Sequence, residues 1–468
     1  MFAVYLLVYG TFAIHYFFLF DDFAVVGEAA ANSWAAIVGT PIFNFYRPTL
    51  LLFTKAVNHW AAWEHPAAYA WLCSAVHLLN AALVGRLAAL CGASRAGAAL
   101  VLILFLLSPW SSEATFWVGG VVDVLLATGM LTALTCGLLL AARPAIPAAV
   151  LYVAGCAGAF FAAFSKETAV MLPALMVMAW VMRGEGLRSL RRMPLLTYLI
   201  CLTLIVVGYL VVRSQILPGL NSAYGSAAEL FGRASLLENY ALYWYAVARP
   251  PTPPGLVRGA LLYPFMYGAV PVIVAWLGWR HPRVLLCGAA AFTLSVLPTL
   301  WMPPDIDVTN QRRLLYVPAI WIAVALGVAL GSLWTERRLF PHWTIPAAVI
   351  VTTLATVASS TLYQRSLWLT AARISSSVIT QLEPIIRAGE PVRILNYPTR
   401  CAEGPRIHQP YALRYYYGME NMPPVRFEGV VVACSDSVGR VVRAAPESMH
   451  GYSDAVAARE RIVTLEIP

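Results

Sequence analysis

The stretch Phe17-Phe18-Leu19-Phe20-Asp21-Asp22-Phe23 decides how this chain is read. It closes an apolar run that begins at Phe2 and is about the length that crosses a bilayer core. Two adjacent carboxylates follow at once, so Asp21 and Asp22 fall where a first helix leaves the hydrocarbon. Acids at that depth are costly and point to a functional site, unless they merely end the span in water. These residues alone do not separate the two readings.

The rest of the chain repeats the pattern. Hydrophobic residues make up 60% of the 468 and charged residues only 12%, with a mean hydropathy of +0.69. Soluble chains carry about a quarter charged residues, so the expected fold class is an α-helical polytopic membrane protein. The first run lacks a basic n-region and an A-x-A-like cleavage site, and it reads as a retained span. The net charge of +9 lies mostly in loops. It suits anionic lipid headgroups or lipid phosphates, and nothing points to nucleic acid.

Hydropathy predicts about eleven spans, near residues 2–20, 67–90, 97–110, 117–141, 147–164, 168–183, 195–216, 259–279, 284–300, 314–333 and 342–361. Alternate short loops carry Arg95; Arg143; Arg183 with Arg188, Arg191 and Arg192; Arg280 with Arg283; and Arg337 with Arg338. The positive-inside rule makes those loops cytoplasmic. The N-terminus is then cytoplasmic, while Asp21-Asp22 and the C-terminal region lie outside. Two outside segments are long. Residues 21–66 hold Trp34, Trp60 and Trp63, as interfacial helices do. Residues 217–258 hold Tyr240, Tyr243, Trp244 and Tyr245 before a Pro-rich stretch at 250–254, which reads either as an aromatic belt or as a lid over a site.

After residue 361 the composition changes. Residues 363–388 have helical spacing of Leu367, Ile374, Val378 and Leu382, and strand-like runs follow at 392–397, 429–434, 441–444 and 461–467. The expected division is a membrane domain over 1–361 and a small extracytoplasmic α/β domain over 362–468. Cys73, Cys91, Cys136, Cys156, Cys201 and Cys287 lie in or beside apolar runs and read as small hydrophobes. Cys401 and Cys434 alone lie in the polar region, where they form one disulfide if it is outside the cytoplasm, or remain two free thiols.

Polar groups gather on the outside ends of the predicted spans. They are Arg47 in Tyr46-Arg47-Pro48, His77 and Asn80, Glu113, Asp123, Lys166-Glu167, and Arg312-Arg313 before Tyr316. Each has a plain structural reading. His77 and Asn80 suit helix–helix hydrogen bonds, and the arginine pair suits snorkelling. Lys166 and Glu167 neutralise each other, or Asp123 pairs with Arg47 or Lys166. Acids and bases on one face also suit a phosphate-bearing lipid substrate. Arg and Lys bind the phosphate, and a carboxylate serves as base. There is no Walker A loop, zinc-ligand spacing or Gly-x-Ser-x-Gly elbow.

Taken in order, these residues carry a resemblance. Phe20-Asp21-Asp22, Tyr46-Arg47-Pro48 and His77-Leu78-Leu79-Asn80 come first. Residues 105–109 with Glu113-Ala114, then residues 119–126, Lys166-Glu167-Thr168 and Arg313-Leu314-Leu315-Tyr316-Val317-Pro318 follow. Over roughly residues 1–335 the set resembles the membrane domain of the transmembrane-and-tetratricopeptide-repeat O-mannosyltransferases. More broadly it resembles the GT-C glycosyltransferases, which include the protein O-mannosyltransferases and the lipid A aminoarabinose transferase. The resemblance implies transfer of a sugar from a polyprenyl-phosphate donor to a protein, lipid or glycan acceptor on the extracytoplasmic face.

An acid of the first outside loop is then the catalytic base, which maps to Asp21 or Asp22. We favour Asp21, with Asp22 orienting a substrate or an essential cation. Lys166, Arg312, Arg313 and Arg47 are the candidates for the donor phosphate. Tyr46, His77, Glu113, Asp123, Glu167 and Tyr316 are candidates for substrate binding or structural support. An inverting transfer demands no cofactor; some related enzymes hold a divalent cation, for which Asp22 and Glu167 are the candidate ligands. Ser108-Pro109 stands where eukaryotic members have His-Pro, and Gly119-Gly120-Val121-Val122-Asp123 lacks a basic residue of the family pattern. The repeat array is replaced by the α/β domain, so sugar and acceptor stay open. The Ala-, Arg- and Trp-rich composition suggests a bacterial inner-membrane protein with a periplasmic site. The competing readings are a transporter or flippase for a lipid-linked substrate, which calls for inverted repeats and broken helices, and a scaffold that presents the C-terminal domain.

Overall fold

A computed structural model describes residues 2–42, 45–61, 65–142, 146–184, 193–217, 235–253, 258–302, 311–336, 344–389, 392–402, 405–407, 425–434, 440–444 and 461–467. In chain order the helices are α1 (Ala3–Ile14), α2 (Asp22–Ala31), α3 (Trp34–Gly39), α4 (Pro48–Asn58), α5 (Pro66–Leu90), α6 (Arg95–Leu106), α7 (Ser112–Phe116) and α8 (Val118–Ala142). They continue as α9 (Ala148–Ser165), α10 (Leu172–Arg183), α11 (Pro194–Ile216), α12 (Leu236–Ala248), α13 (Gly259–Arg280), α14 (Pro282–Thr299), α15 (Arg312–Thr335) and α16 (Thr344–Arg387). Local chemistry sets many starts. Pro48, Pro66 and Pro282 open α4, α5 and α14, where a missing N–H costs nothing. The Ser94 hydroxyl caps α6 by accepting from Gly97 N at 3.1 Å.

Eight of the described helices, α5, α8, α9, α11, α13, α14, α15 and α16, are long and apolar enough to cross a membrane. The other three expected spans fall on α1 and α6, which are shorter apolar helices, and on α10, which has 12 residues. The first run departs most from expectation. Its helix stops at Ile14, and Phe17 to Phe20 form a non-helical connection. Phe18 and Leu19 are fully buried in protein, with the Phe18 ring 5.4 Å from Tyr69 and 6.0 Å from Phe23. The end of the run is apolar because other side chains surround it, whereas Leu7 and Ile14 upstream are exposed on the protein surface.

The bundle is closed by small residues. A Cβ on Gly97 of α6 would lie 2.6 Å from the Gly327 carbonyl of α15, and one on Gly331 would lie 2.8 Å from Gly97 Cα. The two backbones therefore touch along a small-xxx-small stripe, the packing that suits helices in lipid. Helices α8 and α9 meet in the same way at Gly129 and Gly158, where the added Cβ would lie 2.4 Å from the Gly158 carbonyl.

Helix α16 runs unbroken for 44 residues, so position 361/362 lies inside it. After it come strands β1 (Val392–Cys401), β2 (Val425–Ala433), β3 (Arg440–Ala444) and β4 (Arg461–Val463). They form one sheet in the order β3-β2-β1-β4, with β1 parallel to β2 and β4, and β2 antiparallel to β3. The four predicted strand runs each overlap one of these. The helix is joined to the sheet edge by paired bonds, Gln381 Nε2 to the Glu466 carbonyl at 2.7 Å and Glu466 N to Gln381 Oε1 at 2.8 Å. Cys401 and Cys434 are joined as a disulfide that ties the end of β1 to the residue after β2.

Candidate active site

Asp22 opens α2 and turns its carboxylate back on the chain. Oδ2 accepts from Leu19 N at 2.9 Å and from the Tyr16 hydroxyl, while Oδ1 accepts from Gly119 N at 2.5 Å. The side chain is fully buried. Burial pushes its carboxyl up to about 7, against the pull of those three donors, and neighbouring Asp21 adds to the rise. The Tyr16 hydroxyl in turn accepts from Val118 N at 3.2 Å. Asp22 therefore latches the first loop to the start of α8, with both oxygens engaged. Asp21 is different: it is partly exposed, and its carbonyl caps α2 by accepting from Val25 N at 2.9 Å.

Glu113, on α7, serves the start of α15. Its Oε2 accepts from Arg313 N at 2.9 Å, where the preceding Gln311 has a left-handed φ of +63°. A carboxylate at a helix N-terminus meets unsatisfied N–H groups and the positive end of the dipole. Burial raises the Glu113 carboxyl, and Arg313 works against that rise. The Arg313 guanidinium is held loosely, with Nη1 3.8 Å from Glu113 Oε1 and the group 4.6 Å above the Trp117 ring. Arg312 is buried.

Lys166 and Glu167 are neighbours in sequence, yet they do not neutralise each other. Lys166 Nζ binds Asp123 Oδ1 at 2.5 Å, and Glu167 Oε2 binds Arg47 Nη2 at 3.0 Å. Burial alone would raise the Glu167 carboxyl, but the Arg47 guanidinium overrides this and holds it below the usual range. Arg47 also lies 3.9 Å over the Phe45 ring. Tyr46 stacks on Tyr209 at 6.2 Å and gives its hydroxyl proton to the Val38 carbonyl. Lys166 feels the charges of Asp123, Arg47 and Arg313, so these pairs form one electrostatic cluster at one end of the bundle.

His77 and Asn80 belong to a different layer. His77 Nδ1 lies 2.7 Å from the Tyr316 hydroxyl and Nε2 lies 3.2 Å from the Leu106 carbonyl. Asn80 Nδ2 donates to the Val124 carbonyl at 2.8 Å and to the Tyr316 hydroxyl at 3.1 Å, and Thr128 Oγ1 donates to Asn80 Oδ1 at 2.8 Å. Both side chains are fully buried. This is interhelical packing among α5, α6, α8 and α15, and Tyr316 is part of it.

The structure adds residues that the sequence reading missed. Tyr16 and Trp117 hold the acidic loop, and Arg406 lies 4.8 Å over the Phe20 ring. Arg213, buried on α11 within the field of Tyr209, joins the Arg47 end of the cluster; a lone Arg one turn from a helix end is its only sequence signal. Asp22 has both oxygens on protein donors, whereas Glu167 gives Oε2 to Arg47 and keeps Oε1 buried without a hydrogen-bond partner. Among the described residues no group of three or more His, Cys, Asp or Glu side chains comes together that could hold a metal.

Beside the cluster lies an apolar cavity of about 210 Å³, lined by residues of α12 to α15 and by Trp110. Trp110 donates Nε1 to the Val247 carbonyl at 3.1 Å and stands three residues before Glu113. Trp110 thus places one wall of the cavity three residues along the chain from the carboxylate that holds Arg313.

No protein-family model and no curated protein matches the chain. Among solved structures it is similar to ArnT from Cupriavidus metallidurans in the apo state, with 14% identity and a TM-score of 0.53, over 94% of this chain and 95% of that one. The likeness is one of fold, and it extends over nearly the whole of both chains. The chain is a multi-pass membrane protein with an ArnT-like fold.

Proposed function

We propose that the chain is a GT-C glycosyltransferase that moves a sugar from a polyprenyl-phosphate donor to an acceptor hydroxyl on the extracytoplasmic face. The observation that carries the reading is a partly exposed aspartate, Asp21, at the same bundle end as a loosely held guanidinium, Arg313, with an apolar cavity whose Trp110 wall lies three residues before Glu113. The fold is shared with ArnT from Cupriavidus metallidurans. The order of motifs in the sequence supports the same class.

The proposed chemistry assigns each group a task. Asp21 takes the proton of the acceptor hydroxyl as that oxygen attacks the anomeric carbon. The bond from the anomeric carbon to the phosphate oxygen breaks, the configuration inverts, and polyprenyl phosphate leaves with the electron pair. Arg313 and Arg312 stabilise the charge that grows on the leaving phosphate. Lys166 is tied to Asp123 and acts through its field, and Arg47 with Glu167 supports that end of the cluster. Asp22 fixes the loop that carries Asp21. The apolar cavity takes the isoprenoid nearest the phosphate. The site faces the periplasm of a bacterial inner membrane in this reading, and residues 362–468 form the small domain beside it.

Purified wild type in detergent, incubated with a panel of polyprenyl-phosphate sugars and host membrane extract as acceptor, tests the proposal. Release of free polyprenyl phosphate, read by mass spectrometry, is the expected result. If no donor is consumed while donor lipid crosses vesicle membranes in a protein-dependent way, the chain is a transporter and the assignments fall.

A further inference from the structure

Phe20, immediately before Asp21, has a φ of +46°. An aromatic residue in the left-handed region is strained and stays there only when its surroundings over-determine it. Here the surroundings come from the far end of the chain. Phe20 N donates to the Ile407 carbonyl at 2.9 Å, and the Arg406 guanidinium covers the Phe20 ring. Two residues earlier, Ser375 Oγ of α16 donates to the Phe18 carbonyl at 2.6 Å. On its other side the Phe20 ring lies 6.0 Å from Trp117, whose opposite neighbour is Arg313. The order is Arg406, Phe20, Trp117, Arg313, with the acid pair beginning at the next residue after Phe20.

The segment that supplies Arg406 and Ile407 is itself held firmly. Ile407 N donates to the Thr399 carbonyl at 2.8 Å, Cys401 N donates to the Pro405 carbonyl at 2.7 Å, and Arg406 pairs with Arg400 across an antiparallel bridge. Ile407 is fully buried. The Cys401–Cys434 disulfide fixes these paired segments to the neighbouring strand. Nothing in the transfer chemistry requires the sheet, yet the sheet reaches the residue beside the base.

We propose that the paired segments 399–402 and 405–407 are a positioning element for the transfer: Arg406 and Ile407 hold Phe20 left-handed and thereby set where the Asp21 carboxylate stands. Arg406 is a positioning residue, since it touches Phe20 and not the reacting atoms. The inference rests on the assignment of Asp21 as base, so its test has one arm that needs no activity. Misplacement of a catalytic group by about 1 Å costs up to about 100-fold in rate. In full-length protein, R406A is expected to lower kcat by about 10- to 100-fold with the donor KM unchanged. R406K, which keeps a cation over the ring, is expected to recover most of that loss, and a C401S/C434S double variant to behave like R406A.

The second arm is hydrogen exchange of the peptide covering residues 16–24. Exchange there is expected to quicken in R406A and in the double variant, and to stay slow in R406K. A general folding defect would speed exchange across the membrane helices and reduce active protein without the Lys recovery. Wild-type exchange and wild-type kcat in R406A overturn the proposal. If wild type consumes no donor, the glycosyltransferase reading fails, and the exchange arm alone decides whether the paired segments clamp the acidic loop.

Discussion

The pair Lys166–Asp123 offers the sharpest test of how the cluster is held. Both side chains are nearly buried, at 6% and 4% exposed, and their charged atoms lie 2.5 Å apart. At an effective dielectric of about 20 the gross attraction is roughly 7 kcal/mol, much of it offset by desolvation of both ions. Removing one partner forfeits the attraction and keeps the other ion's desolvation cost. D123N leaves Lys166 facing Arg47 and Arg313 with its directly bonded acid gone. The expected loss is about 3–5 kcal/mol, the range for a broken buried pair. The double variant D123L/K166M removes both charges at similar volume and is expected to recover most of that loss. Asp123 Oδ2 is buried without a hydrogen-bond partner, so the native pair is not fully satisfied and its net value is modest. The assay is equilibrium unfolding in mixed micelles with increasing sodium dodecyl sulfate, read by tryptophan fluorescence, for wild type, each single variant and the double. A D123N loss below about 1 kcal/mol refutes the reasoning, as does a double variant whose loss equals the sum of the singles.

Two further predictions concern single sites. The Asp22 carboxyl is raised to about 7 in the fold from an ordinary value near 3.8. A raised folded pKa contributes stability that is complete below about 4 and is lost as pH rises through about 7. Wild type is therefore expected to lose stability against D22N between pH 4 and pH 8, and parallel profiles of the two proteins over that range would contradict the burial of Asp22. The disulfide predicts that six thiols react with an alkylating reagent in denatured, unreduced protein, since Cys73, Cys91, Cys136, Cys156, Cys201 and Cys287 are free. After reduction eight react, counted by intact mass.

Much of the fold can be read in the sequence because lipid imposes a coarse rule on it. A run such as Pro194–Ile216 has to be a helix, and a polar tail with runs of Val and Ile has to pack its strands elsewhere. The run ending at Phe20 misleads because hydropathy reports only that Phe18 and Leu19 avoid water. It does not report that Tyr69 and Phe23, rather than lipid, surround them. The candidate site is legible as a set of residue types and not as a set of partners. Lys166 and Glu167 point to different partners because α9 ends between Ser165 and Lys166 in extended backbone, and the two side chains leave it in different directions. That choice depends on where Asp123 and Arg47 stand in three dimensions. Arg406 escapes notice for the same reason, since it lies in an ordinary polar stretch and gains meaning only through the fold that brings it over Phe20. The His77 layer shows the converse. Its plain reading as helix packing follows from residue type and depth, and the hydrogen bonds to Tyr316 and Leu106 agree with it.

The division of labour between the two aspartates is the central claim, and turnover of D21N against D22N tests it most directly. Each variant is purified, its fold checked by unfolding midpoint, and its donor consumption measured at saturating polyprenyl-phosphate sugar. The account predicts that D21N keeps its fold and loses turnover by about 100-fold or more, the scale of a lost general base. D22N, by contrast, is expected to lose stability, because the amide NH2 that replaces one carboxyl oxygen is a donor set against the donors Tyr16, Leu19 and Gly119. A D21N protein that turns over at the wild-type rate, or a well-folded D22N protein with none, would contradict it.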